Sequence, residues 1–185
     1  MARAVVITGP SGVGKGTLIR TLRERMPELQ LSISATTRMP RPGETQGVDY
    51  RFMSEAEFER HVLAGDFVEH AHYAGARYGT LRAELETRMA SGRPVLLEIE
   101  VQGARQVRRS MPEAVQVFIA PPSVDALRAR LIGRGADAPE QIEARLRTAE
   151  RELQAQHEFP HVVVNDRLED AVEELVAVVR EATGP

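Results

Sequence analysis

The glycine-rich segment Gly9–Lys15 constrains the fold of this chain more than any other stretch. It has the pattern glycine, four residues, glycine and lysine, and it lies between the apolar run Ala4–Ile7 and a helical pattern. Glycines let the backbone curl so that N–H groups converge on an anion, and the following helix N-terminus adds partial positive charge. The pattern therefore predicts a phosphate-binding loop. The simpler alternative is a glycine-rich turn beside a solvated lysine.

The residues that end this loop predict how phosphates and a metal are held. In such loops the lysine, here Lys15, reaches the terminal phosphates, and a Ser or Thr directly after it binds Mg²⁺. That position is Gly16 in this chain, so Thr17, one residue later, is the candidate magnesium ligand. The predicted nucleotide contacts of the loop are Gly9, Pro10, Ser11, Gly12, Val13, Gly14, Lys15, Gly16 and Thr17.

Apolar runs alternate with helical patterns along most of the chain, which predicts an α/β fold with a parallel sheet flanked by helices. The predicted strands are Ala4–Ile7, Leu29–Ser34, Pro94–Ile99, Val115–Ile119 and Val162–Val164. The predicted helices are Thr17–Met26, Thr80–Ala90, Ser123–Ile132, Pro139–Gln156 and Leu168–Glu181. Pro94–Ile99 is the most apolar run and is expected to be a central strand.

The segment from Ser34 to about Tyr78 interrupts this alternation and predicts an inserted substrate-binding subdomain. Ala35–Tyr50 is rich in Thr, Arg, Pro and Gly and predicts a long loop, which inside a compact domain is usually functional. Ser54 and Glu57 form a capping-box pattern, so a helix is expected from Glu55 to near Gly65. Short strands with a turn at Ala74 and Gly75 are expected over Phe67–Tyr78.

Two arginines and a tyrosine in this long loop raise the possibility of a second anion site. Arg38, Arg41 and Tyr50 could converge on a phosphate, because arginine binds phosphate oxygens in a bidentate manner and keeps its charge. A solvated basic turn explains the same spacing equally well. From spacing alone, both interpretations remain open.

Composition excludes several classes of protein. The net charge of −3 and the pI near 6.0 argue against a nucleic-acid or anionic-membrane partner. The chain has no cysteine, which excludes a disulfide scaffold, a thiolate zinc site and a cysteine nucleophile, and fits a reducing compartment. No apolar run approaches the roughly 18 residues of a membrane span. We therefore expect a single-domain cytoplasmic protein.

The stretch Thr36–Phe52 resembles the signature of the guanylate kinase family at every fixed position. Further matches follow in the same order along nearly the whole chain. They are Phe67–Glu69, Tyr78–Thr80, Leu97–Ala104, Pro121–Ser123, Arg130–Leu131, Arg134–Gly135, Arg145–Leu146 and Val164–Asp166.

This resemblance implies a P-loop NTPase-type parallel sheet with an inserted GMP-binding subdomain and a helical lid. The implied core comprises residues 1–33, 80–122 and 158–185, with the GMP-binding subdomain at about 34–79 and the lid at about 123–157. The implied reaction transfers the γ-phosphoryl group of ATP to GMP, giving GDP and ADP, with Mg²⁺ as cofactor.

The resemblance also implies roles for individual residues. Glu69 would accept hydrogen bonds from guanine N1 and N2, Thr80 would touch the guanine edge, and Asn165 would lie near the adenine of ATP. The implied GMP-binding residues are Ser34, Arg38, Arg41, Tyr50, Glu69, Tyr78, Thr80 and Glu100. The implied catalytic residues are Lys15 and Arg38 with the lid arginines Arg134 and Arg145. Glu100 departs from the family, which usually has aspartate at that position.

Two other functions fit the same pattern. One is a guanylate kinase-like module that has lost catalysis and binds phosphorylated peptides, although such modules typically lack a working phosphate loop. The other is a related kinase for another small phosphate, such as a ribose bisphosphate. The pairing of Glu69 with Thr80 argues against this second alternative.

Overall fold

The computed structural model describes residues 3–132 and 139–184, and it contains two β-sheets and, within those ranges, seven α-helices. The strands are β1 Ala4–Thr8, β2 Gln30–Leu31, β3 Ala35–Thr36, β4 Arg51–Phe52, β5 Phe67–Tyr73, β6 Ala76–Leu81, β7 Val95–Glu98, β8 Val115–Ala120 and β9 His161–Val164. The helices are α1 Lys15–Arg25, α2 Glu55–Ala64, α3 Arg82–Met89, α4 Val101–Ser110, α5 Val124–Ile132, α6 Pro139–Gln154 and α7 Leu168–Thr183, with a 3-10 helix at Ala155–Glu158.

The larger sheet is parallel, with strand order β2-β7-β1-β8-β9. This order confirms the predicted α/β class. Strand β7 lies in the interior of the sheet, between β2 and β1, as its apolar run predicted, and β1 is the middle strand. The connection after β1 runs toward one edge of the sheet, whereas the connection after β8 runs toward the other. Ligands of open α/β sheets bind where the connections diverge in this way, outside the carboxyl ends of the strands. The loop after β1 lies at that point.

Side chains of β1 enter the cores on both faces of the parallel sheet. Val5 and Ile7 pack with α1 and α7 residues on one face, whereas Ala4 and Val6 pack with α4 residues on the other. A strand that is covered on both faces buries every side chain, so its sequence does not alternate between apolar and polar residues. This explains the continuous apolar run that predicted the strand, and it makes β1 a rigid support for the loop that follows.

The second sheet has strand order β4-β3-β6-β5 and is packed against α2 through a small core of its own. The predicted capping box is confirmed: the Ser54 hydroxyl accepts from the Glu57 N–H, and the Glu57 carboxylate accepts from the Ser54 N–H. The predicted turn at Ala74 and Gly75 is also confirmed, between β5 and β6. The Gln106 side chain of α4 holds β5 by exchanging two hydrogen bonds with the His70 backbone.

Three of the predicted boundaries were wrong by two or three residues. Strand β2 is only Gln30–Leu31, because the chain leaves the parallel sheet there to enter the second sheet at Ala35. Helix α3 begins at Arg82, because Thr80 and Leu81 still pair with β5. Helix α1 begins at Lys15, directly after the left-handed Gly14, and not at Thr17.

No helix within the described ranges is long and apolar enough to cross a membrane.

Candidate functional site

A cleft of about 340 Å³ lies between the carboxyl ends of β1 and β7 and the inner face of the second sheet. It brings residues of the predicted phosphate loop and of the predicted acceptor site into one cavity. Its lining comprises Gly9, Ser11, Gly12, Gly14, Lys15, Gly16, Leu31, Ser32, Ser34, Asp49, Tyr50, Glu69, Ala71, Tyr73, Tyr78, Glu98, Ile99, Glu100 and Glu152. Among the described residues of this lining, five side chains are carboxylic acids and Lys15 is the one basic side chain.

Backbone geometry in the phosphate loop requires glycine at its two ends. Gly9 has a φ of 142°, and a Cβ there would lie 2.3 Å from the carbonyl oxygen of Ile119. Gly14 has a φ of 97°, and a Cβ there would lie 2.6 Å from Nδ2 of Asn165. Side chains cannot be accommodated at either position without moving β8 or the segment after β9. The loop therefore curls tightly and delivers the chain into α1 with its first-turn N–H groups facing the cleft.

Lys15 lies folded over this loop. Its ammonium Nζ donates to the carbonyl oxygens of Gly9, at 2.5 Å, and of Pro10, at 3.0 Å. It is also the single lysine of the chain, whose 24 Lys and Arg residues are otherwise all arginine. A compact ammonium on a flexible stem can follow the curled backbone, whereas a planar guanidinium cannot.

Asn165 fixes the loop from the opposite side. The Asn165 side chain is buried and donates to the Val13 carbonyl oxygen at 2.8 Å. Arg130 donates to the same carbonyl at 3.2 Å and to the Asn165 carbonyl at 2.9 Å. This contact gives Asn165 a structural role in holding the loop. Its predicted contact with adenine stays a prediction.

Helix α6 contacts the phosphate loop through one face. Nη2 of Arg145 donates to the Ser11 hydroxyl at 3.2 Å, and the Ser11 N–H donates to the Glu152 carboxylate at 3.3 Å. Burial raises the pKa of Glu152, and the positive charge of Lys15 opposes that shift. The structure thus places Arg145 at the loop. The other predicted lid arginine, Arg134, lies outside the described residues.

The arginines of the long loop occupy different environments. Arg38 makes a bidentate ion pair with Glu44, with N–O distances of 2.8 and 3.0 Å, and its guanidinium lies 5.2 Å from the ring centroid of Tyr50. The Glu44 bond raises the pKa of Arg38, and the Arg38 bond lowers that of Glu44. Arg41 is exposed, and its backbone N–H also donates to Glu44. Glu44 therefore fixes this loop, and the role of both arginines stays a prediction.

Glu69 is a buried carboxylic acid at the base of the cleft. Only 4% of its surface is exposed, and its Oε1 accepts a 2.7 Å hydrogen bond from the hydroxyl of the fully buried Thr80. Burial raises the pKa of Glu69 from 4.5 to about 7, whereas the Thr80 hydrogen bond acts in the opposite direction. Thr80 leaves Oε2 and the second lone pair of Oε1 for a further partner. The predicted pair is thus in contact, and its Glu69 carboxyl lines the cavity beside Gly103 of α4.

We expect Glu69→Gln to stabilise the ligand-free protein above about pH 7, by on the order of 3 kcal/mol, because a buried charge is removed. The folded protein holds the Glu69 proton more tightly than the unfolded chain, so the penalty is absent below pH 4.5 and complete above about pH 7. Urea unfolding of both proteins at pH 5 and pH 8 measures the difference. Glu86→Gln, an exposed change on α3, is the control and should show no such pH dependence. Equal stabilities at pH 8 would show that Glu69 carries no burial penalty.

Two carboxylates at the carboxyl end of β7, Glu98 in the strand and Glu100 after it, differ in their partners. Both oxygens of Glu100 cap helix α4, accepting from the N–H groups of Gln102 at 2.8 Å and Gly103 at 2.5 Å. Glu98 remains open to water through the cleft, yet surrounding protein atoms desolvate its carboxyl and raise its pKa, which Lys15 opposes. Glu100 lines the cleft as predicted, but its charge is already used by the helix N-terminus. The less engaged carboxylate is Glu98.

The candidate magnesium ligand Thr17 lies on the exposed surface of α1 and does not line the cleft. Gly16 does line it, and a Cβ at Gly16 would meet no atom within 4 Å. The cleft therefore has open space where phosphate loops of the strict pattern have a hydroxyl. The part of Thr17 in metal binding stays a prediction.

Sequence reasoning missed Glu98 and Glu152. A signal existed for each of them. Glu98 is a charged residue that ends an apolar run, and such a residue in a parallel sheet lies at the edge where ligands bind. Glu152 lies seven residues after Arg145, which is about two helical turns, so both side chains share a face of α6. The exposed, charged character of that helix concealed this signal.

The fold and the cleft define a mixed α/β protein that combines a curled glycine-rich loop with a buried carboxylate presented by a second sheet. A guanylate kinase family model matches residues 1–182, and the chain belongs to the guanylate kinase family.

Similar proteins cover nearly all of the chain. A guanylate kinase of Synechococcus sp. (strain CC9311) is 57% identical over 95% of this chain and 92% of its own length. One from Frankia casuarinae is 56% identical over 94% of this chain and 95% of its own length. The crystal structure of guanylate kinase from Anaplasma phagocytophilum covers 100% of this chain and 87% of its own, with 31% identity and a TM-score of 0.78.

Proposed function

We propose that this protein transfers the γ-phosphoryl group of ATP to GMP, giving GDP and ADP. The observation that carries the proposal is that one cleft contains the phosphate loop with Lys15 and, facing it, a buried carboxylate held by Thr80. The first group suits a polyphosphate donor, and the second suits an acceptor with paired hydrogen-bond donors. Family membership and the high identity to guanylate kinases support the same reaction.

On the donor side, the N–H groups of the loop and of the first turn of α1 would surround the ATP phosphates. Lys15 would leave its carbonyl partners and follow charge onto the transferring group. Arg145 already lies at Ser11, so it needs only a short movement to reach the same phosphates. Arg134 is proposed to join it from the lid.

On the acceptor side, Glu69 would accept two hydrogen bonds from guanine, from N1–H and from the 2-amino group, with Thr80 beside the guanine edge. Ser34, Tyr50 and Tyr78 line the same cavity and would contact the GMP ribose and phosphate. Arg38 and Arg41 would neutralise that phosphate, with Glu44 keeping Arg38 in place. Because the acceptor oxygen is already anionic, the reaction needs alignment and charge neutralisation, not a general base.

Magnesium is the proposed cofactor, bound with ATP. When bound, it would neutralise negative charge on the phosphoryl oxygens of the donor. Mg²⁺ keeps several waters and takes only one or two protein carboxylates beside substrate phosphates. Glu98 fits that need, because its carboxyl faces the cleft close to Gly16 and Lys15. Thr17 is the ligand that the sequence suggested.

The domain division and the cellular location are also proposals. The second sheet, spanning β3 to β6, supports a GMP-binding subdomain near residues 34–79, and α5 with α6 supports a lid near 123–157. The absence of cysteine fits a cytoplasmic enzyme, and the net charge of −3 gives no support for a nucleic-acid partner.

Product analysis tests the proposed function. The chain is incubated with ATP, Mg²⁺ and GMP, and ADP and GDP are separated by chromatography. We expect equal amounts of ADP and GDP, and no ADP when GMP is left out. Absence of GDP, with binding of phosphorylated peptides instead, would identify a non-catalytic module. Phosphorylation of a ribose phosphate in place of GMP would identify a different kinase.

A further inference from the structure

One face of α6 presents two opposite charges to a single residue of the phosphate loop. Arg145 donates to the Ser11 hydroxyl, and Glu152, about two turns later, accepts from the Ser11 backbone N–H. A guanidinium beside a phosphate loop is expected, because it adds positive charge where phosphates bind. A carboxylate at the same place is unexpected, because it has the same sign of charge as the ligand.

The Glu152 carboxylate uses a hydrogen-bond donor that belongs to an anion site. The Ser11 N–H lies in the glycine-rich loop, and Glu152 lines the same cleft as Gly12 and Lys15. Burial raises the pKa of Glu152, whereas the positive charge of Lys15 favours its charged form, as it would favour a phosphate. Glu152 therefore occupies part of the electrostatic environment that the loop offers to nucleotide phosphates.

We propose that Glu152 competes with nucleotide phosphate for the Ser11 N–H, so that phosphate binding displaces the carboxylate and moves α6. The proposal rests on the proposed function, since it takes the loop to be the phosphate site. Phosphate repels Glu152 and attracts Arg145, and both side chains lie on one helix face. Because the two side chains respond in opposite ways, α6 shifts along the loop. The guanidinium of Arg145 then replaces the carboxylate of Glu152 beside the phosphate site. Glu152 thereby lowers the affinity for ADP and speeds its release.

The matched pair Glu152→Gln and Glu150→Gln tests this competition. Both changes remove one negative charge from α6, but Glu150 is exposed and does not line the cleft. Glutamine at 152 keeps the length of the side chain and an oxygen acceptor for Ser11. Calorimetry measures the Kd of ADP and of adenosine for each protein, with Mg²⁺ and without GMP.

We expect Glu152→Gln to tighten ADP binding about fivefold, the effect of removing one like charge near the phosphates. Adenosine, which has no phosphate, should bind equally to all three proteins, and Glu150→Gln should leave ADP binding unchanged. Unchanged or weaker ADP binding by Glu152→Gln would overturn the proposal, and so would an equal gain in Glu150→Gln.

Two further observations show whether a negative result contradicts the role of Glu152 alone or the proposed function itself. Glu152→Ala removes the acceptor as well as the charge and should also tighten ADP binding, so the result does not depend on how one variant folds. If the unsubstituted protein binds ADP no better than adenosine, the loop is not a phosphate site and the proposed function itself fails. If it binds ADP well and neither substitution at 152 tightens binding, only the competition by Glu152 is wrong.

Discussion

Lys15→Met is expected to lower the turnover number by ~10²–10³-fold or more while leaving the fold intact. Methionine keeps an unbranched apolar stem of nearly the same length but removes the ammonium, with its charge and its hydrogen-bond donors. The ammonium now bonds to the carbonyls of Gly9 and Pro10, so it is held directly above the phosphate loop. In the transition state the ammonium would follow the charge on the transferring phosphoryl group. It would bind that group more strongly than in the ground state, and such a difference in binding speeds the reaction.

Two matched substitutions sharpen this prediction. Lys15→Arg keeps the charge but places a planar, longer group in the curled loop, so turnover should again fall by at least tenfold. Arg20→Met removes a positive charge from the exposed side of the same helix and should leave turnover nearly unchanged. Initial rates at saturating ATP and GMP measure all three, with thermal melting to check folding. Near-normal turnover in a folded Lys15→Met protein would remove Lys15 from the catalytic machinery.

Glu69→Gln is expected to lower kcat/KM for GMP by ~10²–10³-fold and to narrow the gap between GMP and AMP. Guanine presents two donors side by side, and a carboxylate offers two acceptors to them. A glutamine amide replaces one acceptor with a donor that faces the 2-amino group. IMP lacks that amino group, so the substitution should lower kcat/KM less for IMP than for GMP. Values of kcat/KM for GMP, IMP and AMP on both proteins measure the effect, and an unchanged ranking would show that Glu69 does not read the base.

The raised pKa of Glu69 adds a pH signature to this selectivity. In the proposed complex the charged form of Glu69 binds guanine. Because burial raises the pKa of Glu69 in the free protein to about 7, GMP binding would expel a proton near and below that pH. KM for GMP should therefore rise as the pH falls from 7.5 to 6. Glu69→Gln has no proton to release and should show no such rise. Titration of GMP itself affects KM equally in both proteins, so the difference between them reports the titration of Glu69.

Local features of the fold could be predicted from the sequence because each depends on neighbouring residues. The capping box at Ser54, the turn at Ala74 and the strand before Gly9 are signals of this kind. The phosphate loop belongs to the same class, since its glycines and its lysine are consecutive. The wrong boundaries, at β2 and α3, depend on pairing with β7 and β5, which are distant in sequence.

Contacts between distant segments explain what the sequence did not show at the site. Asn165 is 152 residues from Val13, and Glu152 is 141 residues from Ser11, yet both bond to the loop. The use of Glu100 as a helix cap likewise depends on where α4 begins. Residue types alone could not distinguish these structural partners from ligand contacts. The resemblance implied separate guanine contacts for Glu69 and Thr80, and the hydrogen bond between these two residues follows from the pairing of β5 with β6.

The ratio of kcat/KM for GMP to that for AMP, measured on the unsubstituted chain with ATP and Mg²⁺, tests the account most directly. The proposed reaction requires the phosphate loop and the buried Glu69 to act in one cleft, on a purine that carries paired donors. It predicts a ratio of ~10⁴ or more, because AMP would leave a buried carboxylate unpaired against its N1 lone pair. A ratio near 1 would contradict it, since a cleft that accepts both bases equally does not use Glu69 to recognise guanine.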